Sequence, residues 1–471
     1  MIERMKISKN FLVPRGIIAI IACSYIFLAL QPDLRLSVPV LLGATAVCMG
    51  SLAFLLYEEE IGRLALSPFT ILCFALFFRL LFLFRLPDLS DDIYRYLWDG
   101  LQMLHGNNPY AAAPFDARPF DNLSASLLAK INHPGVVTIY PPFAQIVFAA
   151  GAAVSHNFIC FKVPMVILDL GICSLLCMIL PFMNLPASRA ILYAWHPLPI
   201  VEIAGSGHVD GVGILLFFLA IYVLLQKPAR DDAGHDYHQW PSFMARQYTK
   251  PLLAGIIFAL AVLIKFIPLI YLPALLLVTA NPLTFGLAFL ATSLLIALPF
   301  TPDLTHMFTT LSTYLQNWEF SNFAFRMLRN LLSSGNQARI ILSCLFICCL
   351  IAFTVSFRMK SRGCDTQQKL LQFMNALYGI TFGFLLLTPA LHPWYALYLV
   401  SLLPFMAGTA GLVFTWAIFL SYRVVIGYAI HGQWIESDLI AAVIWFSPAV
   451  AWSAHSAVQF FFRQKASRAR S

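Results

Sequence analysis

The chain has 471 residues, of which 60% are hydrophobic and only 11% are charged, whereas an ordinary globular protein has about 25% charged residues. So few charged side chains cannot cover a water-facing surface, which excludes a soluble fold. The net charge of +8 does not indicate nucleic-acid binding, because in a polytopic membrane protein such an excess marks cytoplasmic loops. The ten cysteines lie in or beside apolar segments or on a short basic loop, so they predict no disulfide framework.

The apolar runs predict the fold class. At about 20 residues per span, the apolar content is enough for about fourteen membrane helices. Runs near 16–30, 38–56 and 64–84 precede a long polar segment, and further runs continue to residue 457. The run 143–155 is shorter than the roughly 17 residues that a span needs, so it predicts a re-entrant or juxtamembrane helix. We therefore expect an all-α, polytopic integral membrane protein that forms a single domain over residues 1–471.

Positive charge predicts which loops face the cytoplasm. The first 15 residues, the loops 227–250 and 358–369, and the tail from residue 460 each carry four Lys or Arg. The basic start has no small-residue cleavage site, so we expect an uncleaved cytoplasmic end. This topology places both termini in the cytoplasm and the protein in the cell's inner (cytoplasmic) membrane. It puts segments 85–142, 205–211, 300–338 and 389–394 together on the outer side.

The outer segment 85–142 carries an acidic pair directly after the third span. Asp91 and Asp92 reach the membrane surface there, and a partly shielded carboxylate keeps enough basicity to take a proton from a hydroxyl. The alternative is that Ser90 or one of these acids caps a surface helix that begins at Ile93. The spacing does not decide between a general base and a helix cap.

Aromatic and cationic side chains follow in the same segment. Tyr94 and Arg95 come directly after the acidic pair, Tyr110 ends a Gly-Asn-Asn-Pro-Tyr turn, and Tyr140 precedes two prolines. Each turn fixes a ring at the interface, where it is available to a sugar. Tyrosines at this level also form the ordinary aromatic belt of membrane proteins. These four residues are therefore candidates for substrate binding, with the belt as the alternative.

Ionisable residues inside apolar runs are costly in lipid and indicate a functional interior. Glu202, His208 and Asp210 lie around two glycines that allow close backbone approach. Such a set is able to hold a metal, but its spacing matches no strong metal signature, so we predict substrate hydrogen bonding. Lys162 and Asp169 are seven residues apart on one helix face, which predicts that they pair with each other.

Further candidates lie in later loops on the same predicted side. Lys265 interrupts an apolar segment within Lys-Phe-Ile-Pro, where its cation is placed to bind a lipid phosphate or to snorkel to headgroups. The segment after residue 388 offers an indole and polar groups that suit a sugar, with the aromatic belt as the alternative; its candidates are His392, Trp394 and Tyr395. Arg326 and Arg329 are cations for either a phosphate or headgroups.

Taken in order, the motif with the acidic pair, GNNPY, YPP, EIAGSGHVD, KFIP and HPWY resemble those of GT-C type integral-membrane glycosyltransferases. The resemblance is strongest to bacterial polyprenyl-phosphate-mannose-dependent mannosyltransferases and spans roughly residues 87–395. It implies a GT-C-like fold, a sugar donor carried on a polyprenyl phosphate, and an extracytoplasmic active site. It also implies that an acid in the first long outer loop is the base, which carries over to Asp91 or Asp92. In many family members this loop follows the first span, whereas here two extra spans precede it.

The resemblance implies transfer of a hexose, with inversion, to a lipid or glycan acceptor. Mannose rests on the resemblance alone. Lys265 and one of the two arginines are the candidates for the donor phosphate, and no nucleotide signature is present. We expect membrane lipids and the two substrates as partners, and no nucleic acid. No motif indicates a cofactor or a divalent metal, and the sequence leaves open whether such a metal assists. The alternative function is a lipid-linked sugar flippase or another transporter, although the chain shows no internal repeat.

Overall fold

The structure is a computed structural model that describes residues 12–155, 157–226, 245–406 and 408–468. The basic N-terminal end before residue 12, most of the basic loop 227–250 and the last three residues lie outside the described residues. Within these ranges the chain is helical and contains no β-strand. Two isolated bridges join Phe320 and Ser321 to Ala390. The predicted all-α class is therefore confirmed.

The described residues of the first half of the chain form ten α-helices. They are α1 (Leu12–Ala29), α2 (Val38–Glu60), α3 (Pro68–Leu83), α4 (Asp92–Leu104), α5 (Asn122–Leu128), α6 (Pro142–Val154), α7 (Phe158–Ile179), α8 (Ile191–Ala194), α9 (Pro197–Pro199) and α10 (Asp210–Leu225). Helix α9 continues into a π-helical turn, Ile200–Gly205. The apolar segment 188–204 is a series of short helical turns, because prolines at 197 and 199 interrupt it and glycines at 205 and 207 follow directly after it.

The second half, where it is described from residue 245 onwards, forms eleven α-helices. They are α11 (Lys250–Ile264), α12 (Leu272–Val278), α13 (Pro282–Ala297), α14 (Leu304–Asn317), α15 (Phe323–Leu332), α16 (Gly335–Lys360), α17 (Thr366–Leu387), α18 (Leu397–Leu402), α19 (Ala410–Ala417), α20 (Arg423–His431) and α21 (Asp438–Arg468). Side-chain caps begin several of them, as where Asp365 accepts the backbone N–H of Gln368 at 2.8 Å.

Seven helical segments among the described residues are long and apolar enough to cross a membrane. An eighth span is formed if Pro197–Gly205 and Asp210–Leu225 count as one, although they bend by 120° relative to each other. The expected total of about fourteen is reached only when six shorter apolar helices are also counted. Helix α6, predicted as the short re-entrant or juxtamembrane element, is one of those six.

The four loop segments that were predicted to share one side meet at one end of the helices. Asn108 donates to Asp303 at 2.8 Å, and Phe320 bridges to Ala390. His208 stacks on Trp394 with 4.3 Å between ring centroids. We call this the Asp92 end. The opposite end holds the loop 358–369, which we call the basic end.

The two N-terminal helices brace the Asp92 end. The Arg85 guanidinium donates to the carbonyl of Ala29 at 2.8 Å and to Asp88 at 2.8 Å. The same Asp88 carboxylate accepts the backbone N–H of Leu34 at 3.2 Å. These contacts tie the α1–α2 connection to the segment that leads into α4, so α1 and α2 help to position the acidic pair.

The predicted pairing of Lys162 with Asp169 is wrong. Asp169 pairs instead with Arg79, with 2.6 Å between Nε and Oδ2, and both side chains are fully buried. Lys162 donates to the backbone carbonyls of Phe82 and Arg85 at 3.0 and 2.9 Å. Spacing along α7 places Lys162 and Asp169 on one helix face. It does not reveal their actual partners, which lie on α3 and directly after it.

Candidate active site

Helix α4 presents Asp92 and Tyr96 one turn apart on the same face. The Tyr140 hydroxyl donates to Asp92 Oδ2 at 3.1 Å, and the hydroxyls of Tyr140 and Tyr96 lie 3.1 Å apart. The Asp92 side chain is 19% exposed, so its carboxylate is reachable but largely shielded from water. We call Asp92 and the groups around it the Asp92 site.

The structure gives the two acids of the pair, Asp91 and Asp92, different surroundings. Helix α4 begins at Asp92, and Asp91 occupies the position before it without forming a side-chain cap bond. The hydroxyl of Ser90 accepts the backbone N–H of Asp92 at 3.3 Å. Ser90 thus forms the capping hydrogen bond that the sequence assigned either to Ser90 or to one of the acids. The Asp92 carboxylate instead accepts a hydrogen bond from Tyr140.

Tyr140 is held by the turns that the sequence singled out. The buried Tyr110 donates its hydroxyl to the Tyr140 carbonyl at 2.7 Å. Gln145 donates to the same carbonyl at 3.2 Å. Asn108 fixes the preceding turn by accepting the backbone N–H of Tyr110 at 3.1 Å. Tyr110 therefore positions Tyr140 and has no exposed surface of its own for a sugar.

A sharp bend brings buried polar groups beneath Asp92. Gly207 has a φ of +81°, a left-handed conformation that favours glycine, and a side chain there would meet Ile93 and Lys162. His208 follows it, with Nδ1 at 3.8 Å from Asp92 Oδ2 and Nε2 at 3.2 Å from Glu202 Oε2. Glu202, His208 and Asp210 are all fully buried. The glycines thus allow the close approach that the sequence indicated.

Lys265 supplies the cation of the site. Its Nζ donates to both carboxylate oxygens of Asp210, at 2.9 and 2.8 Å. The ammonium also lies over the ring of Tyr395, 4.9 Å from its centroid. The Tyr395 hydroxyl is 2.9 Å from that of Tyr314 on α14. The Lys265 side chain is 14% exposed, so it remains accessible to an anion at the mouth of the site.

Stacked rings extend from the site towards the surface. Trp394 lies between His208 and His392, with centroid distances of 4.3 and 4.5 Å. His392 stacks on Phe320 at 5.0 Å, and Phe320 contacts Trp434 at 5.5 Å. The predicted aromatic group after residue 388 is thus brought against the Asp92 site by the bridge to residues 320 and 321.

Burial sets the electrostatics of the acidic pair. It raises the pKa of Asp92, against the opposing effects of Lys265 and of the Tyr140 hydrogen bond. Burial also raises the pKa of Asp91, with a further increase from the charge on Asp92. For His392, burial and the nearby Lys265 lower the pKa to about 3, so its imidazole is neutral at ordinary pH. A carboxylate with a raised pKa is a better proton acceptor.

Some predicted residues are not brought to the Asp92 site. Arg95 forms an ion pair with Asp99 at 2.8 Å, and Tyr94 lies beneath the ammonium of Lys130 at 5.2 Å. These contacts secure the outer loop. A substrate role for Arg95 and Tyr94 stays a prediction.

The two arginines after residue 320 are also engaged elsewhere. Arg326 pairs with Glu436 and, at 2.7 Å, with Asp438. Arg329 pairs with Glu319. Both arginines are thus held by acids away from Asp92. Lys265 is also paired, with Asp210, but its charge acts on Asp92, which makes it the better placed of the three candidate cations. Phosphate binding by either arginine stays a prediction.

Two site tyrosines escaped the sequence analysis. Tyr96 lies four residues after Asp92, and this helical spacing was the signal that could have found it. Tyr314 reaches Tyr395 only because α14 folds back over the site, and no local pattern announces that. In the described part of the chain, no three His, Cys, Asp or Glu side chains are grouped to hold a metal ion.

The chain was compared with known proteins. A family model described as alpha-(1->6)-mannopyranosyltransferase, N-terminal domain (MptA_B family) matches residues 25–281, more than half of the chain. The chain belongs to this family. It is therefore a mannosyl-transferring glycosyltransferase of the GT-C type, which uses a sugar donor and a glycan or lipid acceptor. An enzyme thus replaces the transporter alternative. No curated protein and no solved structure matches the chain.

The match covers only part of the site. It includes Asp92, Tyr140, the buried residues around the bend, and Lys265. The aromatic segment that begins at His392 and the α14 residue Tyr314 lie beyond it. The site therefore combines the matched N-terminal part with C-terminal helices that fold against it.

Proposed function

We propose that this mannosyltransferase takes mannose from a polyprenyl-phosphate-linked donor and transfers it, with inversion, to a hydroxyl of a lipid or glycan acceptor on the extracytoplasmic side. The observation that carries the proposal is the placement of a shielded carboxylate, Asp92, beside an accessible cation, Lys265. A base and a phosphate-binding cation are the two groups that transfer from a sugar phosphate requires.

In the proposed reaction, Asp92 accepts the proton of the acceptor hydroxyl. The acceptor oxygen forms a bond to the anomeric carbon of mannose, and the bond from that carbon to the phosphate oxygen breaks. The electron pair of the broken bond leaves with the polyprenyl phosphate, where Lys265 stabilises the developing negative charge. Attack opposite the leaving phosphate inverts the anomeric carbon. Asp91 is less suited to this role because α4 directs Asp92, and not Asp91, towards Tyr140.

The aromatic rings are proposed to orient the sugars. Tyr395 lies beneath the Lys265 ammonium and Trp394 stacks on His208. Both are partly exposed, so they are available for hydroxyl and apolar ring contacts. Sugar selectivity would then come from hydrogen bonds to a few hydroxyls, since such bonds reject analogues that lack them.

Charge supports the extracytoplasmic side. The loop 358–369 lies opposite the Asp92 end and carries four Lys or Arg, which favours the cytoplasm. Helix α1 ends at the Asp92 end, since Ala29 contacts Arg85 there. The start of α1 therefore faces the basic end. A reporter that requires export should be active when fused near residue 106 and inactive near residue 362. The reverse pattern would refute the proposed orientation.

The test of the reaction is transfer of radiolabelled mannose from synthetic polyprenyl-phosphate-mannose to lipid and glycan acceptors in proteoliposomes. Asp92→Asn should abolish transfer while leaving folding and donor binding intact, because the amide keeps the size but cannot accept the proton. Asp91→Asn is the matched control and should retain most of the activity. Full activity of Asp92→Asn, or transfer from none of the polyprenyl-phosphate sugars by the folded wild-type protein, would refute the proposal.

A further inference from the structure

A chain of polar groups connects Asp92 to a buried carboxyl. Asp92 accepts from the Tyr140 hydroxyl, which lies 3.1 Å from the Tyr96 hydroxyl. The Tyr96 hydroxyl is 3.4 Å from His208 Nδ1. On the other side of the imidazole, Nε2 is 3.2 Å from Glu202 Oε2. Three groups thus link the carboxyl of Glu202 with that of the proposed base.

The number of hydrogens on the tyrosines fixes the direction of this chain. Each tyrosine hydroxyl has one hydrogen to donate. If Asp92 is ionised, Tyr140 gives its hydrogen to Asp92, so Tyr96 must donate to Tyr140. The Tyr96 oxygen then accepts from His208, which must carry its hydrogen on Nδ1.

The environment of Glu202 determines whether its carboxyl group carries a proton. Its side chain is fully buried, and no N–H or O–H group of the described residues donates to either carboxyl oxygen. No Lys or Arg pairs with it there, whereas the equally buried Asp169 pairs with Arg79. An ionised carboxylate without partners is very costly in such surroundings. A protonated Glu202 instead has an O–H to offer the free lone pair of His208 Nε2.

We infer that Glu202 is held as a neutral carboxylic acid and, through His208 and Tyr96, keeps the Tyr140 hydrogen directed at the ionised Asp92. Glu202 and His208 are therefore positioning residues, which act on the acceptor hydroxyl only through Asp92. The inference rests on the proposed function, because it requires Asp92 to be the base. It predicts that loss of the Glu202 proton would reverse the donors along the chain and remove the hydrogen bond to Asp92.

Other charged groups face the same buried pair. Asp210 and Lys265 lie near Glu202, and Lys265 and His392 lie near His208. Asp210 and Lys265 neutralise each other through their ion pair, and His392 is neutral at ordinary pH. Within the polar chain itself, the titratable groups between Asp92 and Glu202 are His208 and the two tyrosines.

The test is Glu202→Gln in mannose transfer from polyprenyl-phosphate-mannose, measured as kcat against pH. The Gln amide N–H replaces the carboxylic O–H towards His208 Nε2, so kcat should stay within about tenfold of wild type. The loss of activity at alkaline pH should move to higher pH or vanish, because the amide has no proton to lose. Glu202→Leu should lower kcat by about tenfold to hundredfold, the effect of one hydrogen bond to a charged group.

A spectroscopic measurement keeps the inference testable if a variant misfolds. The infrared spectrum of the wild-type protein at neutral pH should contain a protonated-carboxyl band that is absent from Glu202→Gln. If that variant does not fold, Tyr96→Phe should break the chain and abolish the alkaline transition. Tyr271→Phe is its matched control, because among the described residues the Tyr271 hydroxyl has a hydrogen-bond partner in Thr381 alone, at 2.7 Å.

The outcomes separate the two proposals. An active Asp92→Asn variant would refute the proposed base and this inference with it. An inactive Asp92→Asn together with an unchanged alkaline transition in Glu202→Gln or Tyr96→Phe would overturn only the inference. The same holds if the carboxyl band of Glu202 is missing from the wild-type protein at neutral pH.

Discussion

Replacing Lys265 with methionine tests whether this lysine binds the donor phosphate or merely neutralises Asp210. Methionine keeps the apolar stem and removes the ammonium, which lies within 2.9 Å of both oxygens of the fully buried Asp210. Removing one partner of a buried pair leaves an uncompensated charge and costs about 3–5 kcal/mol. Lys265→Met should therefore lower the unfolding free energy by about this amount and abolish transfer.

The double variant Lys265→Met with Asp210→Asn separates the two effects. It removes the stranded charge, so most of the lost stability should return, as it does for buried pairs replaced by neutral groups. Activity should not return, because no cation is left for the departing phosphate. Stability would be followed by thermal unfolding in detergent and activity by mannose transfer, with KM for the donor measured alongside kcat.

Full activity in the double variant would refute the role of Lys265 at the phosphate. Lys265 would then serve only as the counter-ion of Asp210. Equal loss of stability in the single and double variants would instead refute the argument from the buried charge.

Three further predictions concern Asp92 and the helix that carries it. Transfer should rise with pH through the pKa of Asp92, because the base must be ionised. Burial raises that pKa, so in a pH–rate profile the acidic limb should lie at higher pH than an exposed aspartate would produce. Tyr140→Phe should shift this limb to still higher pH and lower kcat by about tenfold, since a hydrogen bond that favours the charged form is lost; an unmoved limb would contradict the contact. Gly100→Ala should destabilise the fold and reduce transfer, because its Cβ would meet the Phe148 carbonyl oxygen where α4 crosses α6. Gly50→Ala, with open space around its Cβ, should leave unfolding temperature and activity nearly unchanged.

The sequence determined the class of the protein because composition is a property of the whole chain and does not depend on which residues meet in the fold. A chain with 11% charged residues has no way to solvate a large surface, so the all-α membrane fold followed without coordinates. The order of the motifs indicated the mannosyltransferase class through its resemblance to a known family. Glycines, prolines and interfacial acids at fixed places record local backbone and charge requirements that survive in the linear sequence.

The choice between Asp91 and Asp92 was not available from the sequence. The two acids are adjacent in the chain, and only the start of α4 and the arrival of Tyr140 from a distant turn distinguish them. The engagement of Arg95 depends on helix phase in the same way, because its partner Asp99 lies one turn along α4. A residue type shows which chemistry is available, whereas helix phase shows where the side chain is directed.

Long-range contacts were decided by tertiary structure alone. The sequence singled out Glu202, His208 and Lys265 one by one. Their relation to Asp92 arises from a 120° bend and from the packing of helices that are far apart in the chain. Pairing across such distances depends on which apolar faces bury each other, and apolar runs without a polar side carry little information about their orientation. The sequence therefore determined the membrane environment, the helical class and the available chemistry. The packing of the helices decided which groups meet.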